Sequence, residues 1–258
     1  MVCLGFANPG TRDLTERYEA TPGSYFAQSE AVTNRLLLLE GCLHGDVEAC
    51  LRCLERRRTE PGFGFSINMQ DDDGQTLLHF AVTAGHFDVV SLLLDHCPDL
   101  DVNVPDEEGY NPFMIACKDG YTELVKLLAQ SGRVNVNLAS SFGYTPLFVS
   151  SCNGHADVVQ FLLSFPFFNP PIDVNQADHT GYVPLLIASR NGHVAVVRLL
   201  LEQKSCDVIH ASRYGSTALF WAEKNKHHEV VKAIKAKLTT IKAIFGKIKS
   251  TVVGCTNV

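Results

Sequence analysis

Ser141-Phe142-Gly143-Tyr144-Thr145-Pro146-Leu147 is a phrase that the chain repeats with variations, and its reading decides the fold. Upstream it occurs as Asp73-Gly74-Gln75-Thr76-Leu77-Leu78-His79 and as Glu108-Gly109-Tyr110-Asn111-Pro112-Phe113. Downstream it returns as Thr180-Gly181-Tyr182-Val183-Pro184-Leu185 and, most altered, as Tyr214-Gly215-Ser216-Thr217-Ala218-Leu219. The glycines of the phrase, Gly74, Gly109, Gly143, Gly181 and Gly215, stand 35, 34, 38 and 34 residues apart. A second landmark, Gly85, Gly120, Gly154, Gly192 and Lys226, follows each of them by 11 residues. All the variation lies after that landmark, where the gaps to the next phrase are 24, 23, 27 and 23. A helix pair of constant length joined by an elastic loop gives this pattern.

The residue types explain the shape. A threonine followed by proline opens a first helix, because the hydroxyl accepts from an orphan backbone N–H and the proline has none to satisfy. First helices therefore begin at Thr76, Thr145 and Thr217. The second-landmark glycine ends each one in a conformation that side chains resist. A second helix follows, reading Val89-Val90-Ser91-Leu92-Leu93-Leu94, Leu124-Val125-Lys126-Leu127-Leu128, Val158-Val159-Gln160-Phe161-Leu162-Leu163 and Val196-Val197-Arg198-Leu199-Leu200-Leu201. Its apolar spacing is helical and its wide stripe needs cover from neighbours on both sides.

These phrases, with the turn Asp101-Val102-Asn103, Asn135-Val136-Asn137 and Asp173-Val174-Asn175, resemble the ankyrin-repeat family over about Arg35 to Leu238. The resemblance implies an all-α fold, an ankyrin-repeat solenoid of stacked helix-turn-helix units with short β-hairpin fingers. An N-terminal capping unit is expected over 34–70, with repeats over 71–105, 106–139, 140–177, 178–211 and 212–238, together a repeat domain of 31–238. Residues 1–30 are expected to be loose, and 239–258 to form a basic amphipathic tail that covers the last repeat, an anionic membrane or a partner groove. The family's histidine of the first helix survives only as His79, with Met114, Phe148, Leu186 and Phe220 in its place elsewhere.

Composition narrows the function. A net charge of −6 argues against electrostatic capture of nucleic acid. Nine scattered cysteines fit free thiols in a reducing compartment better than a disulfide framework. With neither a secretory leader nor an apolar run of membrane length in the sequence, the expectation is a cytoplasmic, monomeric protein. Cys42, His44, Cys50 and Cys53 make the best metal candidate, but Cys50 and Cys53 align with core Val and Leu of later repeats, so no metal is expected. No nucleophile and base, carboxylate pair or glycine-rich phosphate loop emerges, so no catalytic residue or cofactor is assigned and the chain is read as a non-enzyme.

The resemblance places partners at the finger tips and on the exposed side of the first helices. Tyr110, Tyr144 and Tyr182 follow their finger glycines, and Phe142 and Tyr214 precede theirs. Such rings either form interface anchors or pack against the next finger. Glu108 at one end and Arg190 and Arg213 at the other add charge along this edge. The long gap before Gly181 holds Phe165-Pro166-Phe167-Phe168-Asn169-Pro170-Pro171, with Phe167 and Phe168 either anchoring a partner or folding back over helix ends. The candidate site thus comprises Glu108, Tyr110, Phe142, Tyr144, Phe167, Phe168, Tyr182, Arg190, Arg213 and Tyr214, read as the surface of a protein-binding adaptor or regulatory scaffold. The alternative is an adaptor tethered to a membrane by its C-terminal segment, Lys242 to Lys249.

Overall fold

The computed structural model describes residues 30–60 and 65–254, with side chains from 34–60 and 65–243. The expectations for 1–29 and for the last four residues lie outside these. Twelve helices and no strands occur among the described residues. The chain divides into two compact units, Met1–Asp101 and Val102–Val258.

The first unit holds α1 (Glu30–His44), α2 (Val47–Thr59), α3 (Leu77–Thr83) and α4 (Phe87–His96). The first-of-pair helices α1 and α3 pack on one another, as do the second-of-pair helices α2 and α4. Their interface buries Leu38, Cys42, Cys50, Leu78, Val89, Val90 and Leu93. His79 is wholly buried, and its Nδ1 lies 3.0 Å from the Thr76 backbone N–H that donates to it. Arg57 reaches across the unit to Asp99, the closer contact being 2.6 Å.

The second unit repeats the arrangement four times. Its first helices are α5 (Pro112–Asp119), α7 (Pro146–Asn153), α9 (Pro184–Asn191) and α11 (Ala218–Lys224), each packed on the next. Its second helices are α6 (Thr122–Gln130), α8 (Ala156–Ser164), α10 (Val194–Glu202) and α12 (His228–Gly254), also in file. Within α6, α8 and α10 the fully buried set recurs at one spacing: Val125 and Leu128, Val158 and Val159 with Leu162, Val196 and Val197 with Leu200. Each such side chain contributes roughly 1.5–3 kcal/mol by leaving water. No break separates the repeats from the expected tail, since α12 continues through position 238 to Gly254.

The starts and stops of the first helices follow from the sequence. Asn111, Thr145 and Thr217 cap their helices by accepting from the N–H groups of Met114, Phe148 and Phe220 at 2.8, 3.2 and 3.2 Å. Gly120, Gly154 and Gly192 end theirs with φ of 77°, 80° and 82°. Lys226 holds the same left-handed place in the last repeat, at φ 61°. A Cβ on Gly154 would lie 2.5 Å from Nδ1 of His193, a residue of the next repeat.

The fingers are tight turns rather than strand pairs. In each, a backbone N–H donates to the carbonyl four residues on, as from Asp106 to Tyr110, Ser140 to Tyr144 and Asp178 to Tyr182, all at 2.9 Å. A single isolated bridge, Ala211 to Thr217, is all the β pairing among the described residues. Five residues per finger leave no length for a ladder, so the hairpin strands implied by the family resemblance do not form among the described residues. The residue three before each finger glycine organises the turn from its side chain. Asp106 Oδ1 accepts from the N–H groups of Glu108 and Tyr110 at 3.0 and 2.8 Å, and Asp178 Oδ1 does the same for Thr180 and Tyr182.

Candidate protein-binding face

Three layers of hydrogen bonds join neighbouring repeats of the second unit and fix the surface above them. At the fingers, Ser141, His179 and Arg213 donate backbone N–H groups to the carbonyls of Glu108, Phe142 and Thr180 at 3.0, 3.1 and 3.1 Å. At the opposite loops, Asn137 donates Nδ2 to Pro171 O at 2.8 Å and accepts from Asp173 N at 3.0 Å. Asn103 and Asn175 bridge their neighbours in the same two-way fashion.

Between these rows the end of each first helix is clamped by the repeat that follows. The Lys118 carbonyl accepts from Asn153 Nδ2 at 2.7 Å and from His155 Nε2 at 2.8 Å. Asn191 and His193 grip the Cys152 carbonyl at 2.9 and 2.8 Å, and Asn225 and His227 grip that of Arg190 at 2.7 and 3.1 Å. An accepting carbonyl requires the Nε2–H tautomer of each histidine or the imidazolium. Asn153, Asn191 and Asn225 are therefore committed to the scaffold, and so are His155, His193 and His227.

Against this scaffold the candidate residues separate. Phe142 is 47% exposed and Tyr214 is 80% exposed, both at finger tips. Glu108 and Arg213 are also exposed, on the first and last fingers of the unit. Tyr144 is half-buried and stacks on two rings: Phe142 at 5.6 Å between centroids and Phe148 at 4.8 Å. Tyr110 is half-buried under the Lys118 ammonium, 5.4 Å from the ring centroid. Burial pushes the Tyr110 hydroxyl well above the ordinary phenol range, and it does the same, more weakly, at Tyr144.

Two residues depart from the surface role. Tyr182 is only 8% exposed, because the Trp221 ring of the next repeat lies 6.4 Å away and the Arg190 guanidinium stands 5.7 Å over it. It supports the face rather than offering itself to a partner. Phe168 turns inward and packs edge-on to Phe113 at 6.5 Å and against Phe165 at 4.7 Å. The insertion thus folds back over helix ends, leaving Phe167, 80% exposed, as its projecting ring.

Sequence reasoning passed over Trp221. It occupies a first-helix position that carries Phe80, Ile115, Val149 and Ile187 in earlier repeats, in the repeat least like the others. Arg190 Cζ and Lys224 Nζ both lie 4.7 Å from its ring centroid, and Lys224 also stands 5.7 Å over Phe220. The signal that could have found it was the chain's single tryptophan with Lys224 three residues on, one helical turn away.

The metal candidate takes a structural form. Cys42 and Cys50 are fully buried, and a hydrogen bond between them, with burial, holds the Cys42 thiol well above its usual range. Among the described residues no three His, Cys, Asp or Glu side chains gather as metal ligands. Cys42, Cys50, Cys53, Cys97, Cys117 and Cys206 are free thiols. No helix among the described residues is long and apolar enough to cross a membrane.

Comparison with known proteins agrees with the repeat architecture. The family model Ankyrin repeats (3 copies) matches residues 38–137, 98–175 and 166–242. Protein phosphatase 1 regulatory subunit 27 of Mus musculus is 31% identical over 99 residues, 38% of this chain and 59% of that protein. The 26S proteasome non-ATPase regulatory subunit 10 of Dictyostelium discoideum is 35% identical over 69 residues, 27% of this chain and 29% of that protein. The chain therefore spans well under two thirds of these relatives. Among solved structures, the ankyrin repeat domain of Bcl-3 superposes with a TM-score of 0.68 at 23% identity, covering 78% of this chain and 85% of that one. An ankyrin repeat domain from Acinetobacter baumannii gives 0.67 at 22% identity, covering 78% and 96%. With its family model matched over most of its length and its all-α repeats superposing on theirs, the chain belongs to the ankyrin-repeat family.

Proposed function

We propose that this chain is an adaptor or regulatory subunit that grips one protein partner with its fingers and first-helix face, acting as a cytoplasmic monomer. Ankyrin repeats generally mediate protein–protein interaction, and the relatives above include proteins named as regulatory subunits. The single observation that carries the reading is the division of labour on the second unit. The repeated asparagines, histidines and glycines are consumed by contacts between repeats, while Phe142 and Tyr214 project at non-consensus positions of the fingers and Phe220 is exposed on α11. Exposed aromatic rings held on a rigid frame are what protein hot spots require, since little ordering entropy is left to lose.

The test is affinity capture with purified Phe142→Ala/Tyr214→Ala protein beside the unmodified chain, with thermal melting of both. Loss of a captured partner at unchanged melting supports the reading. Capture that survives both substitutions overturns the assignment of this edge. Replacing Tyr182 is a poor probe, because its burial confounds binding with stability.

A second reading, tethering to a membrane through the segment Lys242 to Lys249, draws on the continuation of α12 to Gly254. Flotation with anionic liposomes, with and without residues 239–258, decides it. Equal flotation of the two discards it.

A further inference from the structure

We propose that the partner element received by this face is an acidic segment, with two carboxylates seated over Arg190 and Lys224. The inference rests on the protein-binding reading and names the chemistry of what is bound. Its basis is an alternation of rings and cations along α9 and α11, running Tyr182, Arg190, Trp221, Lys224, Phe220. Both cationic groups are 4.7 Å from one indole centroid, so they are separated by less than twice that distance. Carboxylates two residues apart on an extended strand point the same way at roughly 6.7 Å, which lies within that bound.

Arg190 and Lys224 carry no ion pair, as Lys204, Lys232 and Lys237 carry none elsewhere among the described residues. Lys126, Arg198 and Lys235, on the second helices, hold Glu123, Glu229 and Glu223 at 2.7, 3.7 and 2.8 Å. Among the described residues no carboxylate forms an ion pair with Lys118, Arg190 or Lys224. Glu223, next in sequence to Lys224, is turned away to Lys235. In a protein of net charge −6, positive groups kept clear of internal partners and laid on ring faces constitute a local field opposite in sign to the whole. The rings desolvate one side of each cation, which strengthens its attraction to an incoming anion.

Position is fixed as well as charge. The backbone of Arg190 is held by Asn225 and His227, and its guanidinium stands over both Tyr182 and Trp221, so part of the ordering that binding demands is already present. A few interspersed cations match a short acidic peptide better than the phosphate run of a nucleic acid.

Trp221 supplies an internal reporter, being the only tryptophan of the chain. A fluorescein-labelled 12-residue peptide with glutamate at alternate positions is titrated into the full chain at low salt. Anisotropy and tryptophan emission are followed together. The comparison set is the same peptide with glutamine for glutamate, vesicles of phosphatidylserine and phosphatidylcholine, and the protein variants Arg190→Gln/Lys224→Gln and Lys126→Gln. The expected result is saturable binding of the glutamate peptide with a change in Trp221 emission, weakened about tenfold by the double substitution and within twofold of normal for Lys126→Gln. Equal binding of the glutamine peptide, no binding of the glutamate peptide, tighter binding to the vesicles, or an unaffected double variant each overturns the proposal. Far-UV circular dichroism verifies that the variants fold. If Phe142→Ala/Tyr214→Ala abolishes capture of a partner while Arg190→Gln/Lys224→Gln leaves it intact, the protein-binding reading stands and the acidic-segment inference falls. If both variants retain capture, both readings fall.

Discussion

Substituting Gly154 by alanine separates two costs that the repeat combines at one place. The first is backbone strain: Gly154 has φ of 80°, and a side chain in the left-handed region costs about 1–2 kcal/mol. The second is collision, because the new Cβ would meet the His193 ring at 2.5 Å from Nδ1 and 2.7 Å from Cε1. His193 must then move, giving up its 2.8 Å hydrogen bond to the Cys152 carbonyl, worth about 1 kcal/mol. Together these predict a loss of about 2–3 kcal/mol for Gly154→Ala. Gly132 provides the comparison, with φ of 68° and nothing within 4 Å of a Cβ, so Gly132→Ala carries the strain alone at about 1–2 kcal/mol. Urea unfolding followed by circular dichroism measures both. A Gly154→Ala loss no greater than that of Gly132→Ala would refute the reasoning, since collision with His193 would then cost nothing. The reverse substitution, Lys226→Gly, removes strain at φ 61° and should stabilise by up to about 1 kcal/mol.

Three further outcomes follow from the same contacts. Asn137→Ala removes both the bond to Pro171 O and the bond from Asp173 N, so it should cost about 1–2 kcal/mol and speed hydrogen exchange at the Asp173 amide. Leu162→Ala empties a fully buried position of α8 and should cost about 2–5 kcal/mol by thermal or urea unfolding, whereas Phe167→Ala should leave stability within about 0.5 kcal/mol. The Arg57 guanidinium beside Asp99 holds that carboxyl below its usual range. Its contribution is therefore present above the unfolded carboxylate pKa and lost as pH falls through the lowered value. Asp99→Asn should destabilise at pH 7, modestly because the pair is partly exposed, and the difference from the unmodified protein should vanish in acid titrations of stability.

The helices were legible in the sequence because their limits are set by local chemistry. Thr145 caps, Pro146 fits the first turn, and Gly154 alone takes the left-handed stop without strain, so a reader of those letters finds α7 without knowing what lies beside it. The constant 11-residue separation, read as a helix pair of constant length, has a physical reason in the clamp, since an insertion there would pull His193 away from Cys152 O. What escaped reading depends on side chains meeting across repeats. Tyr182 looks like Tyr110 and Tyr144 in the phrase, yet it is buried because the following repeat carries Trp221 where others carry smaller aliphatic residues or Phe80. Phe168 and Phe167 are adjacent and alike, and only the nearness of Phe113 and Phe161 assigns one inward and the other outward. The fingers fell short of strands for a different reason: the side chains of Asp106 and Asp178 satisfy the backbone donors that a ladder would otherwise use.

The gripping of each first-helix carbonyl by the succeeding repeat has a consequence for how this surface can vary. Arg190 belongs to one repeat, but its main chain is steadied by Asn225 and His227 and its side chain by Trp221, all from the next. The surface at that point is thus written jointly by two consecutive segments. Exchanging one segment with another ankyrin protein would alter the chemistry of the segment before it as well as its own, and trimming the chain after 211 would unseat Arg190 while leaving every atom of its own repeat in place.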